Sequence, residues 1–478
     1  MKHRLVLAAL GLCAASHAQV QSRNVTLLAN FLPNDRFANI WGYVDPATGR
    51  ELALLLGRQA TYVVETTNPQ NPVLRGTFPA SLSGWSPSTW REGRTYGRYA
   101  YIVTEGGGGA QILDLGNPSS PTYVRTFRPA GISWGNTHTV SVDLQARKLY
   151  ALGTSGGTHI FDLSVNPTNP TFVASYTAEY VHDAQAQDGT LYLSEINRGV
   201  LRLLDVRNLP AMPQVGLVGF PAAHEAWPSP DNDFVAAAME AVGGYVGFFD
   251  LTRLPQMPVL STYSFPANPY ETSVHNVYLR DHVLHCAWYT AGYVACDASD
   301  PRAPVTVGWY DTYPGVGVFS GMWGVYPFQP SGNVYASDMV TGLYVFRFRG
   351  TPTHYGSGVG TPAGTVPKVA TFGATWLGSP SFSLEARDVP AGSPVWFFVG
   401  MNAANLSFGG HTLLVDTTIG GFAQATANAR GIARTRLPLP ADPALDGLFL
   451  HAQVLIPAAG APLGVAMSDG LRAELFVR

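Results

Sequence analysis

The chain has 478 residues, of which 46% are hydrophobic and only 13% charged, with a formal net charge of −3. Such length calls for more than one domain, and such apolar content excludes a disordered chain or a solvated charged coil. The charge balance leaves no basic stripe, which excludes nucleic acid as a partner.

Residues 1–18 have the order of a secretory signal. Lys2 and Arg4 lead, an apolar run from Leu5 to Ala15 follows, and Ser16-His17-Ala18 sets small residues at the −3 and −1 positions. Cleavage before Gln19 is expected, and with it export to the outside of the cell or to its surface. No later stretch reaches about 18 apolar residues, so no transmembrane span is expected.

A phrase then recurs: an apolar run, an acid, a few polar residues and a proline. Its acid is Asp114, Asp162, Asp205, Asp250 and Asp297 in five copies, each followed by the proline; a first copy has Glu65 and Pro72, and a last, Leu343-Tyr-Val-Phe346, lacks the acid. Short runs rich in Val, Tyr and Phe surround each copy and are bounded by Gly, Asn and Pro, which are strand signals. Four strands in each repeat of 40–50 residues is the pattern of propeller blades.

Aligned by the segment that opens each repeat, Trp41, Trp90, His138, His182, His224, His275 and Trp323 share one position. The interval from Trp41 to Trp323 holds six steps averaging 47 residues. The pattern predicts an all-β chain whose residues 19–350 form a seven-bladed β-propeller. The last unit has three strands, and residues 24–33 pattern as an outer strand, so they are expected to complete blade seven and close the ring.

In the sixth unit Cys286 and Cys296 flank a three-residue hairpin turn with Gly292 in the left-handed position. Counting outward from Ala291 sets them opposite one another, where an exported protein permits a disulfide; a pair of buried thiols is the alternative. Residues 351–367 form a Gly/Thr/Pro linker. Residues 368–478 return to short strands and suggest a small C-terminal β-sandwich without a catalytic constellation.

The first strand of a propeller blade lines the central channel, so the anchor residues form a ring at one height. His138, His182, His224 and His275 fall on one arc of it, and Trp41, Trp90 and Trp323 on the rest. Four converging imidazoles could hold iron, copper or zinc. Glu105, Glu195, Glu240 and Asp338 end second strands and are expected on the same rim. Asp183 and Glu225, beside histidines, are expected at the channel mouth or against the next blade. The same repetition also fits a packing ring inherited from a common unit. The recurrent aspartates read as turn formers ahead of a proline, not as a calcium site, for no Asp-x-Asp-x-Asp-Gly loop occurs.

Ile40-Trp-Gly-Tyr-Val-Asp-Pro46, Tyr99-Ala-Tyr-Ile-Val103, His182-Asp183-Ala184, His224-Glu-Ala-Trp227, His275-Asn276 and Trp323-Gly-Val-Tyr-Pro327 resemble the choice-of-anchor B family, exported proteins with LVIVD-type propeller repeats. The resemblance implies a secreted or surface-displayed propeller and carries no assigned reaction. Val389-Pro-Ala-Gly-Ser-Pro394, Leu413-Leu-Val-Asp416 and Leu437-Pro-Leu-Pro-Ala-Asp-Pro443 resemble a C-terminal β-domain of exported planctomycete-like proteins.

The function expected from these features is a monomeric extracellular binding module for a protein, a glycan or a surface component. A metal-dependent enzyme using the histidine arc and a structural surface component are the alternatives.

Overall fold

A computed structural model describes residues 21–266 and 272–478; the expected signal segment lies outside the described residues. The described chain is all-β apart from three short 3₁₀ turns. Seven antiparallel sheets built on four strands follow one another, and two further sheets stand at the C-terminal end. Among the described residues no helix is long and apolar enough to cross a membrane.

Alternation explains the stacking. A strand sends successive side chains to opposite faces. In Glu51–Gly57 every residue is buried, because both faces meet another sheet. Leu52, Leu54 and Leu56 pack with Ala100 and Ile102 of the second sheet, while Ala53 and Leu55 pack with Tyr335 and Leu343 of the seventh. The same division recurs at each neighbouring pair. The innermost strand of every sheet contacts that of the next, and Met322–Tyr326 of the seventh contacts Phe37–Val44 of the first. The sheets therefore form a closed ring around a channel.

The outermost pair of each sheet carries a register shift, as between Val63 and Val64 or between Leu203 and Leu204. Such bulges bend and twist the outer strand. Val25–Phe31 pairs antiparallel with Gly342–Phe348 at the outer edge of the seventh sheet, with the same kind of shift between Leu27 and Ala29. The strand nearest the N-terminus thus has the geometry of an outer strand. Ser22–Arg23 continues onto the sixth sheet, against Trp309 and Tyr310.

The repeated acids build turns. Asp114 Oδ1 accepts from Gly116 N at 2.9 Å, Asp162 from Ser164 N at 2.6 Å, Asp205 from Arg207 N at 3.0 Å and Asp250 from Thr252 N at 2.9 Å.

Cys286 and Cys296 correct the hairpin count. Gly292 does have a positive φ of 78°. The pairing, however, centres on Trp288 opposite Gly292, so Cys286 faces Val294 and Cys296 faces Leu284. The two sulfurs are diagonal neighbours, and diagonal side chains stand about 7–8 Å apart, beyond disulfide reach. Both are free, buried thiols.

Beyond the ring, Thr353–Tyr355 joins the edge of a six-stranded sheet by pairing with Gly470–Glu474. That sheet and the three-stranded sheet of Lys368–Phe372, Ser383–Arg387 and Ala433–Arg436 share one apolar core, with Leu384 and Ala386 from one, and Phe397, Val454 and Ile456 from the other. This unit rests on the fifth to seventh sheets. Arg434 Nη2 meets Asp231 Oδ2 at 2.8 Å, Arg387 Nη1 meets Asp281 Oδ1 at 3.1 Å, and Arg349 Nε meets Glu474 Oε1 at 2.7 Å.

Candidate functional site at the channel

Three tiers of side chains fill the channel. The first is the histidine arc. Ring centroids lie 4.1 Å apart for His138 and His182, 4.5 Å for His182 and His224, and 4.0 Å for His224 and His275. His275 continues onto Trp323 at 3.9 Å, and Trp323 stacks on Trp90 at 4.7 Å. A recurring backbone bond fixes the height: His138 N donates to Leu152 O, His182 N to Ser194 O and His275 N to Ala287 O.

Trp41 does not join this ring. Ala38 takes the position, packed against Trp323 and Tyr289. The cause is a skipped pairing. In the first sheet the register jumps from Phe37 to Ile40, in the fifth from Ala223 to Ala226. Ala38 therefore corresponds to His224, and Trp41 to Trp227.

Two of the expected rim acids meet the arc. Glu105 Oε1 accepts from His138 Nδ1 at 2.6 Å, and Glu240 Oε2 stands 3.5 Å from His224 Nε2 while Tyr289 Oη donates to its other oxygen at 2.5 Å. The other two do not. Glu195 is fully buried and held by Arg202 Nε at 2.6 Å. Asp338 accepts from Thr312 Oγ1 at 2.9 Å and from the turn amides of Val340 and Thr341. Their strands end at the matching height, but closer partners turn the side chains aside.

Burial depresses the basicity of the arc. It pushes the His182 and His275 imidazoles well below their usual range and His224 down to about 3, with neighbouring histidines adding to the effect. These rings are neutral at physiological pH. The carbonyl of Trp323 accepts from His275 Nδ1 at 2.9 Å, which leaves the Nε2 lone pair free.

The second tier is a buried carboxylate layer. Asp183 and Glu225 lie here, inside the channel and not at its mouth, together with Glu92, Asn39 and Asn276. Asn39 donates to Glu92, and Asn276 Nδ2 to Glu225 Oε2 at 2.7 Å. Arg94 is the cation among them, with Nη1 3.2 Å from Glu92 and Nη2 3.9 Å from Glu225. Burial raises the Glu92, Asp183 and Glu225 carboxyls above the usual range, and mutual repulsion raises Asp183 further.

The third tier opens at the opposite mouth, where a cavity of about 480 Å³ is lined by Trp41, Trp227, Tyr326, Phe328, Arg94 and Gln185, with Gln145, Gln187, Asp143 and Asp188 around it. The Arg94 guanidinium lies 4.0 Å from the Trp41 ring centroid, and Trp227 stacks on Phe328 at 5.5 Å. Sequence reasoning missed Glu92, Arg94 and Trp227. For Trp227 the signal is a spacing: Trp227, Tyr278, Tyr326 and Gln185 each follow a ring residue by three positions, whereas Glu92 and Arg94 follow Trp90 by two and four.

Residues 94–128 match the LVIVD repeat family. The crystal structure of the WD40 repeats of RRP9 is similar, with a TM-score of 0.50 at 9% identity over 69% of this chain and 100% of that one. The structure of U3-55K is similar to the same degree, again at 0.50 and 9%, over 68% of this chain and 98% of that one. The chain has a β-propeller fold. At this identity the likeness extends to the fold alone. The sequence matches no curated protein.

Proposed function

We propose that this chain is an exported binding module. Its ring of sheets is a seven-bladed propeller over residues 19–350, followed by a linker at 351–367, whose Thr353–Tyr355 already pairs with the C-terminal unit, and a C-terminal β-sandwich at 368–478. Residues 1–18 direct export, and the product acts as a monomer outside the cell or on its surface. A propeller provides a rigid mouth, a setting in which fixed side chains can bind a ligand without large rearrangement.

The observation that carries the reading is the third-tier cavity. Its chemistry favours a glycan among the extracellular ligands. A sugar ring offers a flat C–H face and a belt of hydroxyls. Trp41, Trp227 and Tyr326 supply apolar aromatic surface for the first, and Gln185, Gln187 and Asp188 supply amides and a carboxylate for the second.

The test is titration of the mature protein with a panel of soluble oligosaccharides, followed by tryptophan fluorescence and calorimetry. Saturable binding is expected, weakened about tenfold or more by Gln185→Ala combined with Asp188→Ala, a loss of about 1.4 kcal/mol. Absence of binding across the panel, or binding that the double variant leaves intact, would remove the glycan reading.

A further inference from the structure

The histidine arc holds more nitrogen than the protein pairs. Nδ1 of His182, both ring nitrogens of His224 and Nε2 of His275 have no hydrogen-bond partner, although all three rings are buried. An unpaired buried polar atom is costly, and a ring built for packing alone has no need of one. Trp323 in the same ring also leaves its indole N–H unpaired, but that group is a donor only, whereas a neutral imidazole offers a lone pair. Something that binds lone pairs is the natural complement of three imidazoles in this state.

The geometry suits a cation. The donor atoms of His138, His182 and His224 all lie within 4.8 Å of one another, and so do those of His224, Glu240 and His275. Nitrogen donors sit about 2.0–2.1 Å from a transition metal, so on a tetrahedral ion they stand about 3.3–3.4 Å apart. Donors within 4.8 Å of one another need to close by up to about 1.5 Å, a displacement within reach of side-chain rotation.

The surroundings also fit. A metal-bound imidazole commonly donates its second N–H to a carboxylate or a carbonyl, which fixes the tautomer. Glu105 takes that part for His138 and the Trp323 carbonyl for His275. Glu240 lies beside His224 and is itself held by Tyr289. His138 and Glu105 are the more exposed end of the arc, so an ion has a way in. Imidazole donors select zinc, copper, nickel or iron over calcium and magnesium, which prefer oxygen.

We propose that His138, His182 and His224 bind one first-row transition-metal dication, with His275 and Glu240 beside it and Glu105 as the positioning carboxylate of His138. The site lies at the opposite mouth from the aromatic cavity and stands independently of what that cavity binds.

The experiment uses full-length mature protein without a histidine tag, purified without chelators, and read by elemental mass spectrometry before and after dialysis against Zn²⁺, Cu²⁺ or Mg²⁺. About one equivalent of zinc or copper and no magnesium is expected. His182→Ala with His224→Ala should abolish it, while His354→Ala, outside the arc, should retain it. Because the double variant could misfold, Glu105→Gln is measured as well. It leaves every proposed ligand in place, and its affinity for zinc should fall about 10–100-fold. No zinc or copper after dialysis, full occupancy in a folded double variant, or unchanged affinity in Glu105→Gln would each overturn the proposal.

Discussion

The indole N–H of Trp376 donates to Asp297 Oδ2 at 2.8 Å, so the acid that ends a strand of the sixth sheet also holds the C-terminal unit. Its counterparts in the second to fifth sheets serve their own turns. Asp297 does this too, accepting from Ser299 N at 2.9 Å, and the Ala374 amide reaches it at 3.3 Å. Removing a buried acceptor leaves several donors unpaired. Asp297→Ala is expected to cost about 2–3 kcal/mol, against about 1 kcal/mol for Asp162→Ala in the third sheet. Urea unfolding of the two variants checks the order, and equal losses would count against the docking role.

The fold was legible where chemistry repeats. Short aromatic and β-branched runs between turn residues mark four-stranded units, and the recurrent aspartates mark their turns. The four histidines were legible because each stands at the same aligned position in the segment that opens its repeat. Trp41 misled because its true counterpart at ring height, Ala38, has no side-chain signature. A regular strand sends positions i and i+3 to opposite faces, but the skipped pairing in the first and fifth sheets brings Trp41 and Trp227 to the channel as well. Such a skip is invisible in an alternation pattern. Glu92 and Arg94 were hidden for another reason: their strand pairs without a skip from Arg91 to Tyr96, and an anchor placed on Trp90 left the charged pair downstream unexamined.

The thiols give a direct check on register. Burial pushes both Cys286 and Cys296 up, which keeps them protonated and unreactive in the folded state. Alkylation is expected at neither residue in native protein and at both after unfolding, without reductant, as read by peptide mass spectrometry. A disulfide-linked peptide in the unreduced protein would refute the diagonal placement.

His285 predicts a pH dependence. Burial lowers its imidazole to about 3, with Arg280 adding to the effect and Asp281 opposing it, and its Nδ1 lies 2.7 Å from Tyr293 Oη. In the unfolded chain the same group titrates near about 6.5. Between those values the unfolded state binds the proton and the folded state does not. The stability is therefore complete above about pH 6.5 and falls on acidification, at about 1.4 kcal/mol per unit for this one group. His285→Phe, which can pack between Tyr293 and Phe348, should reduce the loss between pH 7 and pH 5 by about 2 kcal/mol. Urea titrations at both pH values measure it, and an unchanged pH difference would refute the assignment.

Arg94 and Asp183 should respond to substitution by very different amounts. Arg94 is the one cation among three buried carboxyls, and its side chain is 4% exposed. Its removal leaves Glu92 and Glu225 without a counter-charge in a dry channel, so Arg94→Met is expected to cost about 3–5 kcal/mol. The Asp183 carboxyl is raised well above its usual range by burial and by Glu225, which favours its protonated form. Asn mimics that form and relieves repulsion, so Asp183→Asn should fall within about 1 kcal/mol of the parent at neutral pH. Denaturant unfolding of the pair separates the alternatives. A severe loss in Asp183→Asn would mean that the charge on Asp183 holds the layer together; a mild loss in Arg94→Met would mean that the carboxyls already share protons enough to do without the guanidinium.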